Sequence, residues 1–536
     1  MMKSLFSGTS ALIFFILRRD WIRIPAWLLL IVGFTVACVP LFANMFGSTE
    51  ELQAMAGMMQ NPAMVAMVGP AYGLDNYTMG AMYANFMLVL MAMLAGAMNI
   101  FFVTRHTRQD EEQGRLEMVN SLPVGRLANL AATLLTAVKI NAAAALGIGF
   151  GMAAFGVDGV TLAGSLLFGV AMGAAGLMFA GVTAVLCQVS GNNRSASGMA
   201  LFALVLAYLL RAAGDVGAEA LALISPLGLT SRTQAFVENY WWPIWILLGG
   251  FVLLVTLSLV LAKVRDLGQG MAVARPGRRH GGRMLSGPLG LALRLSRTTL
   301  LAWGAILVLF GVMYGSVMDQ MNTFIEGSEM LQQMFAAGAT DGASYTDEFV
   351  GLLMVIMSVV ATIPVLGLIF RLRGEEKQGY LERVLAESVS RVTLFGVYFG
   401  IAFMASVLFQ LLTILSFWGT ASMVMNPAPS LQTYLSASLN YLPAIWVFLG
   451  LAAATIGLFP KRTGLVYGYL GAGFFVVYMG RLVGFPDWVF RLSPFGNIPR
   501  LPLEAQNWIP LVLLTGIAMV LTVLGCMEYR GRDLTQ

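Results

Sequence analysis

Long stretches without a single charged residue constrain this sequence more than any other feature. The stretches 159–193 and 241–262 contain no Asp, Glu, Lys or Arg. A helix needs about 20 predominantly apolar residues to cross a bilayer, and only helices or closed barrels satisfy their backbone groups in hydrocarbon. Because hydrophobicity is continuous along these stretches rather than alternating, they predict membrane-spanning helices.

The composition extends this interpretation to the whole chain. Of the 536 residues, 58% are hydrophobic and only 11% are charged, whereas a soluble domain has about 25% charged residues. We therefore predict an all-α polytopic membrane protein with about twelve transmembrane helices. The predicted spans cover residues 25–46, 77–104, 127–155, 161–189, 196–213, 241–264, 299–318, 348–370, 391–418, 432–458, 464–480 and 508–527.

The charged residues indicate an orientation. Most of the 32 Lys and Arg residues lie in segments on one side of the predicted spans, and such an excess is typical of cytosolic segments. Both termini are therefore predicted to be cytosolic. Residues 1–23 contain an apolar run followed by Arg18-Arg19-Asp20, which predicts a helix in the membrane interface that contacts lipid. No basic patch is interleaved with stacking aromatic residues, so a nucleic-acid partner is not expected.

One charged segment occurs twice. At an offset of 265 positions, residues 110–117 align with 375–382 without a gap. Shorter matches at similar offsets pair Arg211 with Arg481, Pro226 with Pro494, Arg265-Asp266-Leu267 with Arg532-Asp533-Leu534, and Tyr208 with Tyr478. The repeat predicts two six-span halves, residues 1–264 and 299–536, joined by a cytosolic linker and second interfacial helix at 265–298, in which Leu289–Arg297 resembles the N-terminal helix. An even number of spans gives both halves the same orientation, so a pseudo-twofold axis along the membrane normal is expected.

Motifs for catalysis are missing from the sequence. There is no Gly-x-x-x-x-Gly-Lys-Ser/Thr loop for ATP phosphates, no His-Glu-x-x-His and no evident Ser/His/Asp set. Cys38, Cys187 and Cys526 lie in apolar runs without metal-ligand spacing. A Mg²⁺ site at Asp110-Glu111-Glu112 is disfavoured, because the second copy of the segment has Lys377 in place of the third carboxylate. We therefore expect a transport protein with no catalytic or metal-binding residues of its own.

The combined pattern resembles a known family. Its features are twelve spans in two halves, Glu-x-Gln-Gly-x-Leu-Glu after the second span of each half, Asn61-Pro62-Ala63-Met64 with Gly69-Pro70, and Ser225-Pro226-Leu227-Gly228. In these the chain is similar to single-chain permeases of antibiotic-exporting ABC transporters of the tetronasin-resistance type. The resemblance implies the membrane subunit of an ABC-2-like (type V) exporter in a bacterial cytoplasmic membrane. It also implies two copies of a separate ATPase subunit, which would hold ATP and Mg²⁺.

The same resemblance assigns roles to particular residues. In such exporters the loop after the second span of each half contacts the ATPase. The corresponding residues in loops 105–126 and 371–391 are Glu111, Gly114, Glu117, Glu376, Gly379 and Glu382. The segments around Pro226 and Pro494 would be outer half-helices between the last two spans of each half. Because Glu112 is replaced by Lys377, the two ATPase contacts are expected to differ.

Three further residues are singled out by their own chemistry. Lys139 lies in the middle of the third predicted span, where a charge is costly and often functional, so it is a candidate for the transport path or gating. The alternative is a lysine satisfied by water or backbone carbonyls. Arg211 and Arg481, near outer span ends, are interpreted as structural anchors to outer-segment carbonyls or lipid headgroups.

Two other functions compete with an ABC exporter of a hydrophobic or amphipathic compound. An ion-coupled secondary transporter also often has two six-span halves, but it would need carboxylates within its spans. Here Asp and Glu fall in loops or at predicted span ends. A membrane-embedded enzyme is disfavoured by the missing catalytic set.

Overall fold

The computed structural model describes residues 5–60, 62–266, 268–271, 282, 285, 287–316, 318, 345–386, 389–426, 429–483 and 486–532. These residues form helices and connecting turns, with no β-strand among them. Eleven of the helices are long and apolar enough to cross a membrane. This confirms the predicted all-α polytopic membrane fold. The acidic outer segment after the seventh span and most of the linker lie outside the described residues.

The chain divides into two compact units, Met1–Pro276 and Gly277–Gln536. The spans of the first unit are Arg23–Met45, Met79–Glu112, Ala128–Ala153, Leu162–Val189, Asn193–Val216 and Trp242–Val264. Its shorter helices are Thr9–Arg19, Thr49–Met58, Pro62–Val68, Leu74–Asn76, Arg115–Asn120, Glu219–Ile224 and Pro226–Ser231. A π-helical turn at Leu29–Gly33 interrupts the first span.

The fourth span is the centre of the first unit, with 72% of its most apolar window buried. Small residues bring it close to its neighbours, as is common between membrane helices. A Cβ atom on Gly169 would lie 2.4 Å from the carbonyl oxygen of Ala145 in the third span. Glycine is therefore required at this crossing.

The second unit repeats the arrangement of elements with different lengths. Its spans are Pro288–Ser316, Phe349–Lys377, Arg391–Val424, Leu431–Leu458 and Trp508–Gly531. Its other helices are Tyr380–Leu385, Gly464–Val483, Asp487–Arg491 and Pro494–Asn497. The helix Gly464–Val483 occupies the position of the eleventh predicted span. Its apolar described part, Gly464–Tyr478, is shorter than the other spans.

The core of the second unit is built around the eighth and tenth spans, whose apolar windows are 72% and 78% buried. The tenth span packs tightly on the twelfth, because a Cβ atom on Gly525 would lie 2.4 Å from the carbonyl oxygen of Ala453. Pro364 lies inside the helix of the eighth span and removes one backbone hydrogen-bond donor there.

The seventh span differs from the prediction. Leu289–Arg297, expected to form a separate interfacial helix, is the beginning of the continuous helix Pro288–Ser316. In the first unit, the helix Thr9–Arg19 ends at Asp20, where the backbone leaves the helical region with φ −107° and ψ 27°. The corresponding segment of the second unit stays helical and runs on into the span.

Candidate functional site

The duplicated loops have the same backbone plan. In each, a long helix ends, a glycine follows with positive φ, and a short helix begins. Gly114 has φ +68° and precedes Arg115–Asn120, and Gly379 has φ +72° and precedes Tyr380–Leu385. A Cβ atom on either glycine would meet open space. Glycine is therefore needed for its left-handed conformation, which separates the two helices, and not for a close approach.

Glu111 lies inside the first unit. Its side chain is 7% exposed, and its Oε2 atom is 3.0 Å from Nη1 of Arg108 and 2.8 Å from Nη2 of Arg265. Its Oε1 atom accepts the backbone N–H of Gly268 at 2.6 Å. Since Arg265 follows the sixth span, Glu111 joins the first loop to the end of that span.

Glu376 makes the equivalent contacts in the second unit. Its side chain is 3% exposed, its Oε1 atom is 3.0 Å from Nη1 of Arg373, and it also pairs with Arg532. Arg532 directly follows the helix of the twelfth span. The second loop is therefore joined to the end of the last span of its own half, as the first loop is.

A further arginine completes each arrangement. Arg126 donates to the carbonyl oxygen of Arg265, and Arg391 donates to that of Arg532, both at 2.5 Å. We call each set of four residues a loop clamp. The first loop clamp is Arg108, Glu111, Arg126 and Arg265, and the second loop clamp is Arg373, Glu376, Arg391 and Arg532.

Each loop clamp also reaches the segment after the fourth span of its half. Arg108 donates to the carbonyl oxygen of Gly191 at 2.7 Å, and Arg373 donates to that of Pro460 at 3.2 Å. Each loop is thus fixed to the segment after the fourth span of its half and to the segment after the last span of that half. Sequence reasoning assigned Glu111 and Glu376 to a surface contact, whereas the structure places both in these buried ion pairs.

The short helices after Gly114 and Gly379 carry the exposed ends of the loops, and we call them the tip helices. Glu117 and Glu382 are exposed on them. Leu381 is 3% exposed and packs into the core of its unit. The exposed apolar side chains are instead Met118 and Tyr380, with 73% and 51% exposure.

The first loop has an additional polar network around Asp20, at the end of the interfacial helix. The Asp20 carboxylate is 2.8 Å from Nε2 of His106 and 3.1 Å from Nη2 of Arg105. Arg19 contacts the same imidazole and pairs with Asp110 at 2.7 Å. The network therefore binds the interfacial helix Thr9–Arg19 directly to the first loop.

The charge state of Asp20 follows from these neighbours. Burial on its own would raise the pKa of this carboxyl. The hydrogen bond and the electrostatic interaction with His106, together with the positive charges of Arg19 and Arg23, outweigh burial, so the pKa of this carboxyl is lowered from its ordinary value. Asp20 is accordingly a carboxylate at neutral pH.

The second loop has different residues at the corresponding positions. At the offset of 265, Asp110, His106 and Arg105 correspond to Glu375, Arg371 and Phe370. Glu375 pairs with Arg371 at 3.4 Å, four residues earlier on the same helix. An alignment of Ala26-Trp27 with Ala302-Trp303 puts Ser296 at the position of Asp20.

Arg211 lies near the C-terminal end of the fifth span and is fully buried. It donates to the carbonyl oxygens of Met67 at 3.0 Å and Val65 at 3.5 Å. Its guanidinium lies over the ring of Tyr208, 4.7 Å from the centroid. These contacts hold the helix Pro62–Val68 against the span. The side chain of Arg481, its counterpart in the repeat, lies outside the described part.

Pro226 and Pro494 are each the first residue of a short helix that follows a serine. Ser225 caps the helix Pro226–Ser231, and its hydroxyl donates to the carbonyl oxygen of Ala207 at 2.6 Å. A Cβ atom on Gly228 would lie 2.0 Å from the carbonyl oxygen of Ala222, and one on Gly496 would lie 2.2 Å from that of Phe490. Both outer segments therefore depend on a glycine two residues after the proline.

Lys139 is exposed on the surface of its unit, whereas its neighbour Asn141 is buried. Asn141 and Asn99 of the second span form two reciprocal side-chain hydrogen bonds of 2.9 and 3.1 Å. The sequence analysis did not identify this pair. The two lie 42 residues apart in the chain and have no shared motif, so only a search for polar residues within predicted spans could have found the pair.

Comparison with known proteins gives the family. The family model described as the C-terminal domain of multidrug efflux system permease Rv1217c matches this chain twice, at residues 27–262 and 285–530. The chain is also 33% identical to the multidrug efflux system permease protein Rv1217c of Mycobacterium tuberculosis over 543 aligned residues. This alignment covers 99% of the chain and 96% of the relative. The chain is therefore a multi-pass membrane protein that belongs to the family of the multidrug efflux permease Rv1217c.

Proposed function

We propose that this protein is the permease subunit of an ATP-driven ABC-2-like (type V) exporter in the bacterial cytoplasmic membrane. Both termini and both duplicated loops would face the cytosol, where two copies of a separate ATPase subunit bind. Its cargo would be a hydrophobic or amphipathic compound such as an antibiotic. The relative's name, a multidrug efflux system permease, supports export of this kind of molecule.

The single observation that carries this proposal is the pair of loop clamps. Each exposed tip helix is connected by buried ion pairs to the end of the last span in its own half. Buried charges in such an arrangement resist separation, since removing one partner leaves the other uncompensated. A force applied at a tip helix is therefore passed to the spans instead of being absorbed by a flexible loop.

The clamps also refine the roles of the duplicated glutamates. Glu111 and Glu376 would transmit movement to the spans, because both are buried in ion pairs. Glu117 and Glu382 are exposed and would contact the ATPase. Gly114 and Gly379 would set the angle at which each tip helix is presented.

An ion-coupled secondary transporter remains the alternative. Such a carrier needs a carboxylate that changes its partner or proton during transport. Asp215 is a buried carboxylate within the fifth span, but it pairs with Arg232 at 2.9 Å and Arg211 at 3.5 Å. Two guanidinium partners suit a structural carboxylate, so this observation favours the ABC exporter.

The proposal is tested by purifying the tagged protein from its native membrane in a gentle detergent and identifying the copurifying proteins. We expect a P-loop ATPase, and we expect Glu117→Lys together with Glu382→Lys to reduce its recovery. Glu50→Lys is the matched control, because it makes the same charge reversal on an exposed side chain outside both duplicated loops.

Reconstituted vesicles provide the functional measurement. With the ATPase present, ATP should drive movement of ethidium, a hydrophobic cation, and the double variant should lose this activity. The proposal is wrong if the wild-type chain moves the dye on a proton or sodium gradient without ATP. It is also wrong if no P-loop ATPase copurifies with intact wild-type protein.

A further inference from the structure

A second polar site lies beside the first loop and takes no part in the loop clamp. It is a cavity of about 130 Å³ in the first unit, between the first, second and third spans. Its charged lining residues are Asp20, Arg23 and Arg105, and its apolar wall includes Trp27 and Phe101. This volume is well above the roughly 10–15 Å³ that one water molecule needs, so a larger polar group fits.

The charges of the cavity are not balanced. The single carboxylate of Asp20 lies 3.1 Å from Arg105 and 3.8 Å from Arg23, and it also contacts His106. Two guanidinium groups therefore share one carboxylate. In addition, the Nε atom of Arg105 and the Oδ1 atom of Asp20 are buried and make no hydrogen bond. The two guanidinium groups outnumber the one carboxylate and keep an unused donor, which is the chemistry of an anion site.

The position of the cavity indicates the source of the anion. It lies where the interfacial helix Thr9–Arg19 meets the first span, next to the exposed aromatic side chain of Trp21. Aromatic side chains of this kind are typical of the headgroup region of a bilayer. The side chain of Arg23 is 57% exposed and Phe101 is 47% exposed, so both are accessible to lipid.

We propose that this cavity binds the headgroup of an anionic phospholipid. The phosphate would accept hydrogen bonds from Arg23 and Arg105, and an acyl chain would lie against Trp27 and Phe101. Basic pockets between transmembrane helices are known to suit anionic headgroups. Guanidinium groups are also well matched to phosphate, because their planar donors can bind two oxygens at once. This inference does not depend on the proposed transport function.

The second half lacks the cationic pair. The position of Arg105 is occupied by Phe370, whose ring packs on Tyr467 with centroids 5.6 Å apart. The alignment of Ala26-Trp27 with Ala302-Trp303 gives Thr299 at the position of Arg23. The proposal therefore predicts one such lipid per chain. Bound there, the lipid would reinforce the connection between the interfacial helix and the first loop.

Native mass spectrometry of the full, delipidated chain tests this site. The protein is titrated with phosphatidylglycerol and, separately, with phosphatidylcholine of the same acyl chains. We expect one phosphatidylglycerol to bind more tightly than the rest, with no such site for phosphatidylcholine. Arg23→Gln and Arg105→Gln should each weaken that binding by on the order of fivefold. Arg18→Gln, an exposed charge on the interfacial helix outside the cavity, should leave it unchanged.

Several results would overturn the proposal. One is equal binding of the two lipids by the wild-type chain, and another is an equal loss in Arg18→Gln, which would indicate non-specific attraction to a basic surface. Inorganic phosphate that competes with phosphatidylglycerol at similar concentration would show that a free anion, not a lipid, occupies the site. If Arg105→Gln does not fold, Arg23→Gln decides alone, since its long contact to Asp20 makes it the milder change.

Discussion

The two duplicated loops share their clamp but differ in their attachment to the preceding helix. Glu111 and Glu376 pair with equivalent arginines in the two units. Only the position of Asp20 in the first half carries a carboxylate, and Ser296 takes that place in the second. Both halves therefore have the rigid link from loop to spans. The attachment through Asp20 belongs to the first half alone, so it was either gained by that half or lost by the other.

The largest effect is expected from breaking a clamp. Glu111→Ala and Glu376→Ala should each destabilise the protein by roughly 3–5 kcal/mol, because two buried guanidinium groups lose their counter-charge. Thermal unfolding of the purified variants, compared with Glu117→Ala at an exposed glutamate of the first tip helix, measures this. Similar losses in both variants support equivalent clamps, whereas a loss in only one would break the comparison.

A smaller effect is expected where both halves need an outer glycine. Gly228→Ala and Gly496→Ala should each cost about 1–3 kcal/mol, because the added Cβ atom would overlap a backbone carbonyl oxygen. Gly249→Ala and Gly516→Ala are matched controls, since nothing lies within 4 Å of a Cβ atom there. The comparison fails if the control variants lose as much stability as the outer ones.

The difference between the loops is tested by Asp20→Ser, which gives the first half the residue of the second. Losing charged hydrogen bonds here should weaken the attachment of Thr9–Arg19 by about 1.5–3 kcal/mol. Hydrogen exchange of the peptide that contains this helix should become at least tenfold faster. Exchange in the second loop should stay unchanged, and a loss of protection there would contradict independent attachments.

The same attachment has a defined pH dependence. Because the pKa of Asp20 is lowered in the folded protein, its charged form stabilises the fold above its ordinary value of 3.8. That contribution is lost only as the pH falls through the lower, folded-state pKa. Hydrogen exchange of Thr9–Arg19, corrected for its intrinsic pH dependence, should show constant protection from pH 7 to about pH 5. Loss of protection near pH 6 would contradict this assignment.

The smallest effect on stability is expected at the tip helices. Glu117→Lys and Glu382→Lys change exposed side chains and should alter the free energy of unfolding by no more than about 0.5 kcal/mol. The free energy of unfolding is measured for the same variants that are used in the copurification experiment. Lower recovery of the ATPase with unchanged stability then indicates a lost partner contact and not a damaged fold. A large destabilisation would mean that these residues belong to the clamps.

Much of the fold could be predicted because it depends on local sequence. Apolar runs identified the spans. The continuous helix Pro288–Ser316 was missed, because the resemblance of Leu289–Arg297 to the N-terminal helix says nothing of whether the chain turns after it.

The clamps could be predicted only in part. The repeat of Arg265 and Arg532 was visible in the sequence, but their partners lie 154 and 156 residues away. Pairing over such distances is decided by how the spans pack. The burial of Glu111 and Glu376 was missed for the same reason, since the sequence alone does not show which arginines a charged segment contacts.

Cysteine cross-linking tests the central claim most directly. In a chain with Cys38, Cys187 and Cys526 replaced, single cysteines are placed at Glu117 and at Glu382 and treated with a short bifunctional reagent in native membranes. Our account predicts that both positions cross-link to a P-loop ATPase, while a cysteine at Lys139 does not. If neither tip helix cross-links to an ATPase in membranes that still export the cargo, the loops do not couple this permease to ATP.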